Sequence, residues 1–484
     1  MNSFQSSDEV PAAGACAGDK RAYQKRFKGR LIWREEADYE EARVRRVFNA
    51  RKPQRFPSAV LFAESIDDVK SAVALARECN FRISLRSGGH SWDGWSVRDG
   101  SLLIDFSLFR EMSYDQHTGI ASATPSISGG ELNPFLKQFG VFFPGGHCPE
   151  VGMGGFLLQG GQGWNARGLG WACENIDSID VVTADGRLVH ASLSENADLF
   201  WAARGSGPGF FAIVVRFHLR TRPLPKALTR SIFVYPLDLF EDVMRWLYSI
   251  HASINPQVET VALALETPMA GAEYAGRHVL LVGGLAFADS IEEARTALAP
   301  FESCPVLDRA LATEIYAPTT LAKEYEEQLR QNPKGHRYAV DNLWLSRPAC
   351  EIVPSLKDCF QSLPTAQTFA LWYSMAPLPP LSDMAFSLQS EAYVAVYTIW
   401  EKAEDDARCR GWLKEHMQRL EILSDGYYLG DSDIPTRSAR FMAAENYSKL
   451  EQLRAKWDPE GRICSYRPHD KHALNQNPWE AQKN

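Results

Sequence analysis

The sequence predicts an α+β protein of two domains, and three observations carry that prediction. At 484 residues the chain exceeds the roughly 250–300 residues over which a single hydrophobic core keeps growing. Between about residues 80 and 220, glycine-rich turns punctuate short apolar strands. After Arg222-Pro223-Leu224-Pro225 those turns stop, and longer alternating strands separated by amphipathic helices take over. That second pattern reads as an antiparallel sheet covered by helices on one face.

The elements follow in order. Residues 1–25 are polar and read as a disordered tail, with the first domain running from 26 to 225. Asp38 to Val47 is helix-like, and Arg51-Lys52-Pro53-Gln54-Arg55 reads as a solvated loop entering a strand at Ala59 to Phe62. Ser65 caps a helix whose first turn is acidic and whose Val69, Val73 and Ala76 share one face. The alternating run from Phe81 to Leu85 is a strand that feeds the turn Arg86-Ser87-Gly88-Gly89-His90-Ser91. The backbone N–H groups of such a turn, with Arg86, suit a diphosphate. A strand at Leu102 to Phe106 and a short helix from Ser128 lead to Pro144–Arg167, a stretch with eight glycines in twenty-four residues. Glycine at that density serves close backbone approach to a large ligand. Ala184-Asp185-Gly186 between two apolar runs is a hairpin signal. The run Gly205 to Phe210 approaches a dinucleotide fingerprint, but Pro208 within it and the β-branched strand after it exclude a Rossmann site.

The second domain, 226–424, has strands at Ser231 to Leu237, Thr260 to Leu265, His278 to Phe287 and Tyr393 to Trp400, with helices at Leu239 to Ile250 and Ala407 to Leu423. Residues 425–484 form a closing segment. A net charge of −8 provides no basic field for nucleic acid. The nine cysteines are scattered without a CxxC pair, so neither a zinc site nor a disulfide framework is expected. No signal-like or membrane-spanning apolar run is present, which places the expected protein in the cytoplasm, with no membrane partner.

The turns R-S-G-G-H-S and G-G-H-C-P-E-V-G-M-G-G-F-L-L-Q-G-G-Q-G resemble those of the berberine-bridge-enzyme-like FAD-linked oxidases, in the vanillyl-alcohol-oxidase type of PCMH-type FAD-binding fold. The resemblance spans about residues 55–465 and implies a two-part FAD-binding domain, with 226–424 inserted as a substrate-binding cap and 425–484 returning to it. It implies FAD linked covalently through His90, to the 8α carbon, and through Cys148, to C6. Further cofactor contacts are implied at Arg86, Ser87, Gly88, Gly89, Ser91, Val151, Gly152, Gly155, Gly160, Gly161 and Gly163. Asn175 and Ile176 fall where the family passes the adenosine half, Ile213 and Val214 where its backbone follows the flavin, and Asn446 and Tyr447 in its closing motif. Read alone, His90 is better taken as a hydrogen-bonding turn residue and Cys148 as a small buried hydrophobe; it is their pairing, each inside its own glycine turn, that favours the flavin linkage.

The implied activity is an oxidase that takes a hydride from an alcohol or a phenolic or benzylic C–H of a small molecule and reduces O2 to H2O2. A dehydrogenase using another acceptor, a carbohydrate oxidase and a catalytically silent flavoprotein are the alternatives. Hydride removal needs a base. The segment Gly426-Tyr427-Tyr428-Leu429-Gly430-Asp431 resembles the family's Tyr-x-Asn-Tyr-x-Asp, which points to Tyr428 and Tyr427, although Leu429 stands where the active tyrosine is expected. Glu391, Tyr393 and Tyr397 remain alternatives. His147 beside Cys148 lacks the convergent partners of a zinc site, so no metal is expected.

Overall fold

The computed structural model describes residue 16, residues 20–432 and residues 440–466. Strands β1 (Arg30–Trp33), β2 (Ala59–Phe62), β3 (Ile83–Arg86) and β4 (Leu102–Asp105) form a sheet of order β1-β2-β4-β3, parallel except for β1. The helix Ile66–Glu78 crosses from β2 to β3. Ser65 caps it, its hydroxyl accepting the Asp68 N–H at 3.2 Å, and Val69, Val73 and Ala76 are buried as the spacing predicts.

Strands β5 (Met112–Asp115) and β6 (Ile120–Ala123) start a second sheet, and β7 (Val141–Phe142) lies apart from it. The predicted hairpin forms β8 (Ile176–Val182) and β9 (Leu188–Ser192), followed by β10 (Ile213–Arg220) and by β11 (Arg222–Pro223), which pairs with β7. The second sheet has order β5-β6-β10-β8-β9 and is antiparallel throughout. A register shift in β10 between Val214 and Arg216 divides its side chains. Ile213 and Val215 pack with the first sheet and its helix, whereas Phe217 and Leu219 join the core on the opposite side.

The third sheet contains β12 (Ala227–Pro236), β13 (Val258–Leu265), β14 (Val279–Ala288), β15 (Ala312–Pro318), β16 (Arg337–Leu345), β17 (Phe369–Ser374) and β18 (Ala392–Trp400), in the antiparallel order β15-β12-β14-β13-β17-β18-β16. Helices Phe240–Ile250, Ile291–Leu298, Ala349–Gln361 and Asp406–Leu420 cover one face, sharing a core with Ala262, Ala264, Val282, Ala370 and Trp372. The alternate residues Val261, Leu263, Leu265, Leu281, Phe369, Leu371 and Tyr373 look the other way, into a cavity. After the helix Ala444–Trp457 the chain returns to the first sheet, where Ile463 bridges Ile83.

Two expectations are corrected. Lys20–Gln24, within the stretch read as tail, is a short helix whose Tyr23 is buried against Trp33, while most of the remaining tail lies outside the described residues. Cys16 and Cys79, read from sequence as outside any disulfide framework, form a disulfide across 63 positions. No helix among the described residues is long and apolar enough to cross a membrane.

Candidate active site

A cavity of about 1410 Å³ separates the two glycine turns from the bare face of the third sheet. The turns abut back to back: a Cβ on Gly88 would lie 2.6 Å from the Gly152 nitrogen, and one on Gly152 would lie 2.7 Å from the Gly88 nitrogen. Only glycine permits that approach, and it sets Ser87, Gly88, Gly89, His90 and Ser91 beside Cys148, Val151, Gly152 and Gly155 on one cavity wall.

Arg86 is placed differently from the sequence reading. Its guanidinium is buried and donates to Asp105 at 2.5 Å and to the carbonyls of Arg43 and Ala42 at 2.6 and 2.5 Å. The cause is register, since Arg86 stands opposite Asp105 in the β3/β4 pairing. Burial favours the neutral Asp105 carboxyl, but Arg86 and Arg46 outweigh it and hold the group below its ordinary range. Arg86 therefore borders the cavity while its guanidinium, committed to Asp105 and two carbonyls, braces the turn.

The His90 ring stacks on Phe48 with centroids 4.4 Å apart. Burial, followed by the charges of Lys334 and Arg46, lowers its pKa to about 4, so the imidazole is neutral at neutral pH and keeps a nitrogen lone pair. Burial, then Asp431 and Glu150, push the Cys148 thiol up to about 12. Next to it, His147 Nε2 lies 3.0 and 3.1 Å from the two Glu259 carboxylate oxygens. Glu259 also accepts the Asn165 N–H at 2.6 Å and the Tyr373 hydroxyl at 3.1 Å. Burial alone would lower His147, yet the Glu259 charge and hydrogen bond raise it above its ordinary value. His147 and Glu259 both line the cavity.

Of the two candidate tyrosines, Tyr428 lines the cavity, and its hydroxyl oxygen accepts the backbone N–H of Gly161 at 3.1 Å and of Gln162 at 3.2 Å. Tyr427 does not; it packs against Phe441 in the core. Leu429 is buried beneath Gly207. Sequence reasoning missed Asp431 as an acid–base group. Tyr397 and Tyr393 donate to its carboxylate at 2.9 and 3.1 Å, and the Trp92 indole N–H approaches at 3.5 Å. Burial raises its pKa, partly offset by these donors. Asp431 and Tyr397 line the cavity, whereas Glu391 is exposed at the start of β18.

Other predicted contacts lie behind the wall. Val214 reaches the cavity, but Ile213 is turned into the core by strand alternation. Gly160, Gly161 and Gly163 do not line the cavity; Gln159, Gln162 and Trp164, interleaved with them, do. The Asn175 amide holds the carbonyls of Leu169 and Trp171 and accepts from Arg222, and Ile176 is core. Asn446 donates to the Met384 carbonyl, and Tyr447 packs beside Tyr466. Away from the cavity, among the described residues, Asp180, His190 and His218 bring one potential ligand atom each within 4.8 Å of one another.

Comparison with known proteins agrees with this architecture. An FAD binding domain family matches residues 57–192. The chain is 37% identical over 442 residues to the FAD-linked oxidoreductase janO of Penicillium janthinellum, covering 90% of this chain and 96% of that one. Its fold is similar to Physcomitrella patens BBE-like 1, with TM-score 0.77 and 19% identity over 93% of this chain and 98% of that chain. It is likewise similar to a xylooligosaccharide oxidase from Myceliophthora thermophila C1, solved with xylobiose, with TM-score 0.76 and 21% identity over 92% and 99% of the two chains. With 37% identity to janO over nearly the full length, the glycine-turn cavity and the architecture of the three larger sheets, the chain belongs to the FAD-linked oxidoreductases on the BBE-like, PCMH-type fold.

Proposed function

We propose that this chain is an FAD-dependent oxidase with flavin attached through both His90 and Cys148, acting on an alcohol or a phenolic or benzylic C–H of a small apolar molecule. The observation that carries the reading is the presence of His90, Cys148, Tyr397 and Asp431 on one cavity. The abutting glycines and the cavity volume fit a large planar cofactor along the turn wall, with His90 and Cys148 as its attachment points. FAD held there by His90 and Cys148 would supply the two-electron acceptor for the substrate's hydride, with O2 as the onward acceptor that yields H2O2.

The chain's own groups supply substrate positioning and proton movement. Val261, Leu263, Leu265, Leu281 and Leu371 present an aliphatic surface to the substrate, which favours an apolar alcohol over a sugar. As the C–H bond breaks, the neighbouring hydroxyl proton passes to the Tyr397 oxygen, and the Tyr397 proton passes to Asp431, 2.9 Å away. The raised Asp431 pKa suits that acceptor role. Tyr428, named first from sequence, becomes a support: its oxygen fixes the Gly161–Gln162 backbone beneath the cavity.

The reading is tested by acid precipitation and intact mass of wild type, His90→Ala, Cys148→Ala and the double variant. Flavin retained by wild type and each single variant but lost from the double variant supports double attachment. Wild type that carries no flavin and binds no added FAD refutes it. Fast reoxidation of substrate-reduced flavin in air separates an oxidase from a dehydrogenase.

A further inference from the structure

The five-stranded sheet carries a side-chain cluster that the flavin site does not use. Neighbouring strands β9, β8 and β10 bring together His190, Asp180 and His218. His190 stands opposite Asp180 in the β8/β9 register. On β10, beyond the irregularity after Val214, His218 pairs with Ser178, which places its ring beside the same carboxylate. His190 Nδ1 lies 2.7 Å from one Asp180 oxygen and His218 Nε2 lies 3.0 Å from the other. One ligand atom from each residue lies within 4.8 Å of the other two.

The surroundings leave this group to itself. Arg216, opposite Asp180 in register, is paired with Glu111 and Ser122, and Arg220 is paired with Asp177 and the Glu174 carbonyl. All three cluster residues are partly exposed, so an ion can enter from solvent. In a tetrahedral zinc site with bonds of about 2.0–2.2 Å, ligand atoms stand about 3.3–3.5 Å apart, a small rotation from the spacing here. Two imidazoles and one carboxylate suit Zn²⁺, Ni²⁺ or Cu²⁺, whereas Mg²⁺ and Ca²⁺ prefer oxygen ligands.

We propose that Asp180, His190 and His218 form a binding site for a divalent transition-metal ion of the Zn²⁺ type, which pins β9, β8 and β10 together. On binding, each imidazole gives its Asp-facing nitrogen to the metal and carries its proton on the other ring nitrogen, so two N–H···O bonds are exchanged for two N–metal bonds and one O–metal bond.

The test uses the flavin-loaded protein, stripped with chelator and desalted, then titrated with Zn²⁺ by calorimetry and with Co²⁺ by ligand-field absorption. The expected result is a single saturable site of micromolar or tighter affinity. Affinity should fall at least about tenfold in Asp180→Asn and disappear in the His190→Gln/His218→Gln double variant, with flavin content unchanged. Absence of saturable binding to wild type at millimolar Zn²⁺ overturns the proposal. Equal binding by wild type and either variant also overturns it, because the ion would then sit elsewhere.

Discussion

Asp105→Asn tests the brace beneath the first glycine turn. Both side chains of the Arg86–Asp105 pair are fully buried, and Arg46 adds a second guanidinium 2.9 Å from the same carboxylate. The variant keeps the shape but removes the negative charge and turns one of the two acceptor oxygens into an NH2 donor, so a single neutral carbonyl must serve either Arg86 or the Arg46 and Ser107 donors. Breaking a buried pair from one side costs about 3–5 kcal/mol. With an unfolding entropy of about 2.1 cal/mol/K per residue, a cooperative unit of roughly 200 residues loses about 2.4 °C per kcal/mol, which gives a fall of about 7–12 °C. Scanning calorimetry at neutral pH measures that fall, and flavin absorbance per chain reports whether the Ser87–Ser91 turn still holds its cofactor. A melting shift under about 2 °C with normal flavin content would refute the argument, because the turn would then stand without its brace.

Three further outcomes follow from the same geometry. Gly152→Ala sets a Cβ against backbone atoms of Gly88 that no rotamer change can move, so it should cost about 1–3 kcal/mol and lower flavin content, checked by urea unfolding and absorbance. Asp431→Asn should reduce kcat by about a hundredfold to ten-thousandfold with little change in KM, whereas Tyr428→Phe should cost mainly stability by unpairing two backbone N–H groups; the opposite ranking in steady-state kinetics would reassign the base. Glu259→Gln should cost most stability at low pH. Because Glu259 raises His147 above its unfolded value, that contribution is fully present below about pH 6.5 and is lost as pH rises through the folded pKa; the gap between wild-type and variant melts should therefore narrow on the alkaline side to what the Asn165 and Tyr373 bonds contribute.

Local signals were legible where the chain's chemistry acts over a few residues. Ser65 announces its helix because the cap contact spans three positions, and Ala184-Asp185-Gly186 announces β8 and β9 because its turn joins them directly. The two glycine turns were legible as a ligand wall for the same reason. Contacts between distant segments were hidden. Arg86 reads as a phosphate ligand until β3/β4 register sets it against Asp105. Asp431 reads as part of an imperfect tyrosine motif until β18 brings Tyr393 and Tyr397 to it from 38 and 34 positions away. The disulfide and the Asp180–His190–His218 group likewise depend on segments meeting in space, which spacing along the chain does not encode.

The third sheet gives its two faces different histories. Odd positions of β13 and β17 face the cavity while their even neighbours are locked under the helices. A substitution at Leu263 or Leu371 can therefore reshape what the enzyme accepts without touching the side chains that hold Ala262, Ala264 and Trp372 in place. Such a sheet lets lineages explore new substrates one residue at a time while the scaffold stays folded, and directed libraries confined to those outward positions should retain stability far more often than libraries that also sample the alternate set.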